Sequence, residues 1–303
     1  MKLSSILKPL AVAVACSVMT GCAPDGKDVD VPVVKPADAV QFVAGNGTVK
    51  FTGYKPLADK PVYVHYLIPE NGDKTTMPVL FVLPGQERNA ADYLKAWTET
   101  ALNKDVMVFA LEFPTAYYNS DLYQAGGVMV NDKLQPTADW SFQVIEALFD
   151  KIVKDTRSNR MTYDIWGHSA GAQFVSRFVT FMPAARIDRA VSANAGWYTL
   201  PDDAINFPYG VKGTPAATNL QAAFKHNMIV DLGTADTDRS GLNTSAGAEA
   251  QGQTRFERGT YYYDVAVEVS SRMGCTFNWT KRLEEGIGHD YTAMARAAAG
   301  ILY

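Results

Sequence analysis

Residues 164–173 read DIWGHSAGAQ, with Ser169 held between Gly167 and Gly171. The preceding run, MTYDIW (161–166), is rich in β-forming residues and predicts a buried strand. The following run, GAQFVSRFVTFM (171–182), predicts a helix. Phe174, Val175, Phe178, Val179 and Met182 recur there at spacings of three and four and give one apolar face, and Pro183 ends it. A G-x-S-x-G pentapeptide between a strand and a helix is the setting of a nucleophile elbow. Such a turn puts the serine in a strained backbone conformation and exposes its Oγ. A Cβ two residues to either side would collide with the turn. The helix N-terminus just beyond offers unpaired N–H groups and a positive dipole end, suited to an oxyanion formed at an acyl carbon.

A serine hydroxyl needs a base, and histidine is the usual one. The chain has four histidines: His65, His168, His226 and His289. His168 adjoins Ser169 in the turn, where neighbouring side chains diverge. His65 lies in an early strand, VYVHYLIP, and His226 precedes the strand NMIVDLG, at the wrong end of a sheet. His289, in GIGHDY, follows the last strand-like stretch and leads into a helix of small residues. It is the expected base. The acid that orients the imidazole is expected in MIVDLGTADTD, where Asp236 and Asp238 both follow the strand. Asp236 fits better, at the first loop position after the Gly233 bend, with Asp238 the alternative. Ser169, Asp236, His289 is the nucleophile–acid–base order associated with α/β-hydrolases.

An oxyanion hole needs a second N–H from the loop after an earlier strand. VLFVLPGQERNAADYL supplies it: a buried apolar strand, a Pro84-Gly85 turn, and Asn89 as the N-cap of a helix with Asp92 in its first turn. The backbone amides of Gln86 and Ala170 are the expected donors.

The first residues, MKLSSILKPLAVAVACSVMTGC, combine lysines at 2 and 8, a short apolar stretch and small residues before Cys22, the pattern of an export signal. MTGC resembles a bacterial lipobox, with Met19 where leucine is favoured. It implies a signal peptide over 1–21 and lipidation of Cys22. Ala23 after the cysteine favours an outer-membrane address in an envelope protein. Residues 22–45 predict a Pro/Asp-bearing tether and 46–303 one domain. The signal would take Cys16 with it, so an acylated Cys22 leaves Cys275 without an intrachain partner. A net charge of −4 argues against nucleic acid as a partner. The sequence shows no metal-ligand cluster and no phosphate-cradling loop, so neither metal nor cofactor is expected.

Beyond the tether, GTVKFTGY and PVYVHYLIP predict an antiparallel hairpin. Strands and helices then alternate: VLFVL, AADYLKAWTETALN, VMVFALEF, WSFQVIEALFDKIVKD, the elbow pair, IDRAVSANAG, NLQAAFKH, NMIVDLG, a long helix over 246–273, and a final strand and helix. This alternation predicts an α/β fold with a mostly parallel sheet covered on both faces and the site at the C-terminal strand ends. Two insertions, 114–140 and 196–219, lie on that edge. Their Tyr117, Tyr118, Trp140, Trp197 and Tyr198 are candidates to line an apolar or aromatic acyl pocket, Tyr117, Trp140 and Trp197 foremost, the alternative for each being to pack its loop onto the core.

With these motifs, LPGQERNAADYL, WGHSAGAQFVSRF, ANAGWYTLPDDAINFPYG, DLGTADTD and GIGHDY, the chain resembles the α/β-hydrolase superfamily. More narrowly, it is similar to exported bacterial esterases related to poly(3-hydroxyalkanoate) depolymerases. The resemblance implies a serine esterase acting through an acyl-enzyme, with Ser169, Asp236 and His289 in the catalytic roles and no obligate protein partner. A small-molecule or oligomeric ester is the implied substrate. The same triad also serves transacylases, thioesterases and peptidases, and a non-catalytic surface-binding lipoprotein is the remaining alternative.

Overall fold

The apolar runs become strands whose side chains alternate between two cores. In the computed structural model, which describes residues 40–303, the chain opens with β1 (Gly45–Phe51) and β2 (Val62–Ile68), the expected antiparallel pair. Next come β3 (Val79–Leu83), α1 (Ala90–Lys104) and β4 (Met107–Glu112). The first insertion carries a small ribbon, β5 (Met129–Val130) with β6 (Lys133–Leu134), and leads to α2 (Gln143–Thr156). The elbow elements are β7 (Tyr163–His168) and α3 (Ala170–Phe181). They are followed by β8 (Ile187–Ala193), α4 (Leu220–Ala223) and β9 (Asn227–Gly233). The chain ends with α5 (Ala246–Glu249), α6 (Arg255–Met273), β10 (Thr280–Glu284) and α7 (Tyr291–Leu302).

Among the described residues, eight strands form one sheet in the order β1-β2-β4-β3-β7-β8-β9-β10. From β4 to β10 every pairing is parallel. All five residues of β3 are buried. Leu80 and Val82 join the core formed with Tyr93, Trp97 and Ala101 of α1 and Met294, Ala295 and Ala298 of α7. Phe81 and Leu83 join the opposite core, with Leu148 and Phe149 of α2, Phe174 and Phe178 of α3, and Tyr262 of α6. A strand covered on both faces has no solvent side, which explains its unbroken apolar sequence.

Three details differ from the sequence reading. The long helix expected over 246–273 is two helices. Gly252 at φ +140 breaks it, and Thr254 restarts it with a capping box to Glu257. Asn89 sits at the start of α1 with no side-chain capping bond, and its Nδ2 donates to the Asp92 carboxylate (3.2 Å). Residues 42–45, counted with the tether, belong to the fold: Phe42 is buried against Tyr66 and Phe109, and its N–H donates to Asp155. The signal peptide, Cys22 and most of the tether lie outside the described residues.

Candidate active site

The elbow is built as its glycines require. Ser169 has φ +55 and ψ −115, a conformation that L side chains rarely adopt. Its N–H is tied to the carbonyl of Ala193 at the end of β8 (3.0 Å). A Cβ on Gly167 would lie 2.3 Å from the Gly171 carbonyl oxygen, and one on Gly171 would lie 2.0 Å from that of Leu83. The turn is thus wedged between the helix it starts and the end of β3, and only hydrogen fits at either flank.

Three residues far apart in the chain converge here. Ser169 Oγ is 3.0 Å from His289 Nε2, and His289 Nδ1 is 2.7 Å from Asp236 Oδ2. Asp236 is buried, while Asp238 is exposed and folds back on Ser240, accepting its N–H (2.9 Å) and its hydroxyl (2.8 Å). Those two bonds hold the Asp238 carboxyl below its ordinary value.

The loops bearing Asp236 and His289 are tied together. The Ala235 N–H donates to the Ile287 carbonyl and the Gly286 N–H to Thr234 Oγ1. Asn194, just past β8 at φ +51, bridges both loops: it accepts from the Gly233 N–H and donates to the Gly288 carbonyl.

The other histidines are engaged elsewhere. His168 is fully buried with Nδ1 on the Tyr93 hydroxyl, and burial lowers its pKa well below the ordinary value, so the ring is neutral. It packs 4.5 Å, centroid to centroid, from the His289 ring. His65 bridges Thr48 and Glu112, and His226 meets the Pro183 carbonyl.

The Gln86 and Ala170 backbone N–H groups have no acceptor among the described residues, and both residues line the cavity in front of Ser169. Arg88 orients the first of these loops. Its guanidinium donates to the carbonyls of Gly85 and Gln86 and stacks 3.8 Å over Tyr123, whose hydroxyl donates to the Pro84 carbonyl. With the carbonyls engaged on one side, the amides are left for the other.

Ser169 lies between two cavities. One, of about 310 Å³, is lined by Gln86, Ser120, Gln124, Ala170, Gln173, Trp197 and Arg255. The other, of about 300 Å³, is lined by Gln86, Asn89, Tyr93, His289, Tyr291 and Arg255. A separate cavity of about 360 Å³, between the β1–β2 pair and α1, shares no lining residue with either. The first cavity beside Ser169 is lined mostly by polar side chains, while Tyr93 and Tyr291 border the second. Trp197 lines the first cavity, but Trp140 is packed edge-on against Phe181, Tyr118 is buried with its hydroxyl on the Lys60 carbonyl, and Tyr198 stacks on Tyr262. Tyr117 is exposed and borders neither cavity.

Several residues around the site were not singled out from the sequence. Arg255, at the start of α6, is buried. It lies 3.5 Å from Asp236 and donates to the carbonyls of Asp238 and Ser240. Arg177 of α3 stacks 4.2 Å over the Trp197 ring and donates to Thr199 and to the Gln124 carbonyl. Burial pulls its guanidinium down to about 9, which leaves it charged at neutral pH. The one local signal for these roles was the capping-box spacing that starts α6 beside Arg255. Among the described residues no three acidic, histidine or cysteine side chains group as a metal site.

No family model and no curated protein matches the chain. Solved structures do. Poly(aspartic acid) hydrolase-1 from Sphingomonas sp. KT-1 is 38% identical with a TM-score of 0.82, over 86% of this chain and 99% of that one. LpqC, a poly(3-hydroxybutyrate) depolymerase from Bordetella parapertussis, is 26% identical with a TM-score of 0.82, over 86% and 90%. An S-formylglutathione hydrolase from Agrobacterium tumefaciens, 14% identical with a TM-score of 0.52 over 87% and 96%, shares the fold. The chain belongs to the α/β-hydrolase family that includes poly(aspartic acid) hydrolase-1.

Proposed function

We propose that this hydrolase cleaves carboxylic esters through a covalent acyl-serine. The observation that carries the reading is the unbroken hydrogen-bonded chain from Ser169 Oγ through His289 to buried Asp236, starting at a strained N-cap. His289 Nε2 takes the hydroxyl proton as Oγ bonds to the scissile carbonyl carbon. The carbonyl oxygen becomes an oxyanion held by the Gln86 and Ala170 N–H groups. The C–O bond to the leaving alcohol breaks, and His289 returns the proton to it. Water then repeats the sequence on the acyl-enzyme, with His289 as base, and releases the acid and free Ser169. Asp236 keeps the imidazole in the tautomer that presents a free Nε2 and stabilises the imidazolium.

A second reading, amide cleavage by the same residues, is favoured by the 38% identity to a hydrolase of poly(aspartic acid), a polyamide. Both readings use one nucleophile. Turnover of 4-nitrophenyl esters by the wild type and by Ser169→Ala tests them together, with an amide panel run alongside to separate them. The expected loss in Ser169→Ala is on the order of a millionfold, as in other serine triads. Wild-type turnover by Ser169→Ala would overturn both.

A further inference from the structure

The two cavities flanking Ser169 are chemically assigned by His289. Under the reading above, on which this inference rests, the imidazolium must reach the leaving group. The cavity lined by His289, Tyr93 and Tyr291 is therefore the leaving-group side. The other cavity contains both oxyanion residues and no part of His289, so it receives the acyl group.

Gln173 occupies a particular place in that acyl cavity. It sits one helical turn beyond Ser169, its N–H bonded to the Ser169 carbonyl, and only 5% of it is exposed. The Arg177 guanidinium lies 3.4 Å from Oε1. A guanidinium has only donors, so the amide oxygen must face it and the NH2 must face away. Nε2 donates to no acceptor among the described residues, and Gln173 lines the cavity. Gly196 makes the space for it, since a Cβ there would lie 2.8 Å from Nε2. Gln173 thus presents a donor of fixed orientation to the cavity beside the nucleophile, unanswered within the protein. An alkyl group that covers such a donor takes it from water and leaves it unpaired, which is disfavoured.

We propose that Gln173 is the specificity residue of the acyl side, and that it selects acyl groups carrying a neutral or anionic acceptor oxygen a few atoms from the scissile carbonyl over alkyl groups of the same shape.

An isosteric pair of substrates tests this: 4-nitrophenyl 3-methoxypropanoate, with an ether acceptor, and 4-nitrophenyl pentanoate, with a methylene in its place. In the wild type kcat/KM is expected to favour the ether by about tenfold, the ratio one net hydrogen bond supplies. Gln173→Met should bring the ratio close to one. Gly196→Ala, which displaces the amide without changing it, should shrink the ratio as well, and it keeps the test open if Gln173→Met fails to fold. Stoichiometric phosphonate labelling of Ser169 checks each variant for an intact site. Equal rates on the two esters in the wild type, or a ratio preserved in folded Gln173→Met, would overturn this inference alone. A wild type that neither turns over the esters nor takes the label would overturn the hydrolase reading, and this one with it.

Discussion

The His289 imidazole meets Asp236, 2.7 Å away, and not Asp238, two residues further along the same loop. The two aspartates divide their work by burial. Asp236 spends its carboxylate on the ring and on Arg255, while Asp238 turns its own loop through Ser240. Asp236→Asn should therefore lower kcat about 10⁴-fold, the loss expected when the tautomer is wrong. Asp238→Asn should stay within a few-fold of wild type. Steady-state kinetics on one ester decide this, and equal losses in the two variants would contradict the division.

Gly171 tests whether the elbow is as tight as its contacts imply. A methyl group there meets the Leu83 and Pro84 carbonyls, which are backbone atoms and have nowhere to go. Gly171→Ala should lower stability by about 2–3 kcal/mol, in the range of overpacked cores. Gly300→Ala in α7, where a Cβ meets nothing within 4 Å, should be neutral or slightly stabilising. Thermal melts of the two variants give the comparison.

Much of this site is legible from local sequence, and the reason is physical. The elbow needs a strand, small residues at two fixed offsets and a helix, and all three are written within twenty residues. Asp236 and His289 are found because a parallel sheet collects its loops at one edge, so strand ends predict proximity. Gln173, Arg177, Asn194 and Arg255 are not legible in this way. Each acts through a partner brought in by tertiary packing, and nothing in a lone Arg or Gln on a predicted helix announces it. Three of the five candidate pocket aromatics pack the core for a related reason. Tyr118, Trp140 and Tyr198 bury so much apolar surface that packing takes them into the core, where the Tyr118 hydroxyl and the Trp140 N–H donate to backbone carbonyls and the Tyr198 ring stacks on Tyr262. The break before α6 was readable: Thr254 with Glu257 is a capping-box spacing inside a stretch otherwise read as continuous helix.

Asp231 gives the fold a pH dependence. It is fully buried on β9 with no donor bonded to either carboxyl oxygen, and burial raises its pKa, with the facing Glu284 carboxyl adding to the effect and Arg282 opposing it. The folded protein therefore holds a proton that the unfolded chain has released above the ordinary carboxylate value of 3.8. Where the native state binds the extra proton, stability falls as pH rises. The contribution of this residue is least unfavourable at the acidic end and worsens until the native group ionises. Asp231→Asn, neutral at every pH, should raise Tm at pH 8 and flatten the decline between pH 5 and pH 8. An unchanged slope in that variant would show that Asp231 is not its source.

At the other end of the sheet, Asp164 is buried and accepts from Arg189 Nε (3.0 Å), Arg189 Nη2 (2.7 Å) and the hydroxyl of the last residue, Tyr303 (2.8 Å). Arg189→Met leaves a buried carboxylate with one donor and should lower stability by about 3 kcal/mol. Tyr303→Phe removes one hydrogen bond and should lower it by about 1 kcal/mol. Neither change touches the cavities beside Ser169, so kcat/KM of the folded fraction should hold. Denaturant melts paired with initial rates separate the two effects.

The central claim is that Ser169 is a nucleophile activated by His289. Intact-protein mass spectrometry after treatment with a fluorophosphonate tests it without any choice of substrate. The expected result is one phosphonyl adduct per chain, mapped to Ser169 by peptide sequencing and absent or greatly slowed in His289→Ala. A natively folded protein that takes no adduct, or takes it at another residue, would contradict the account.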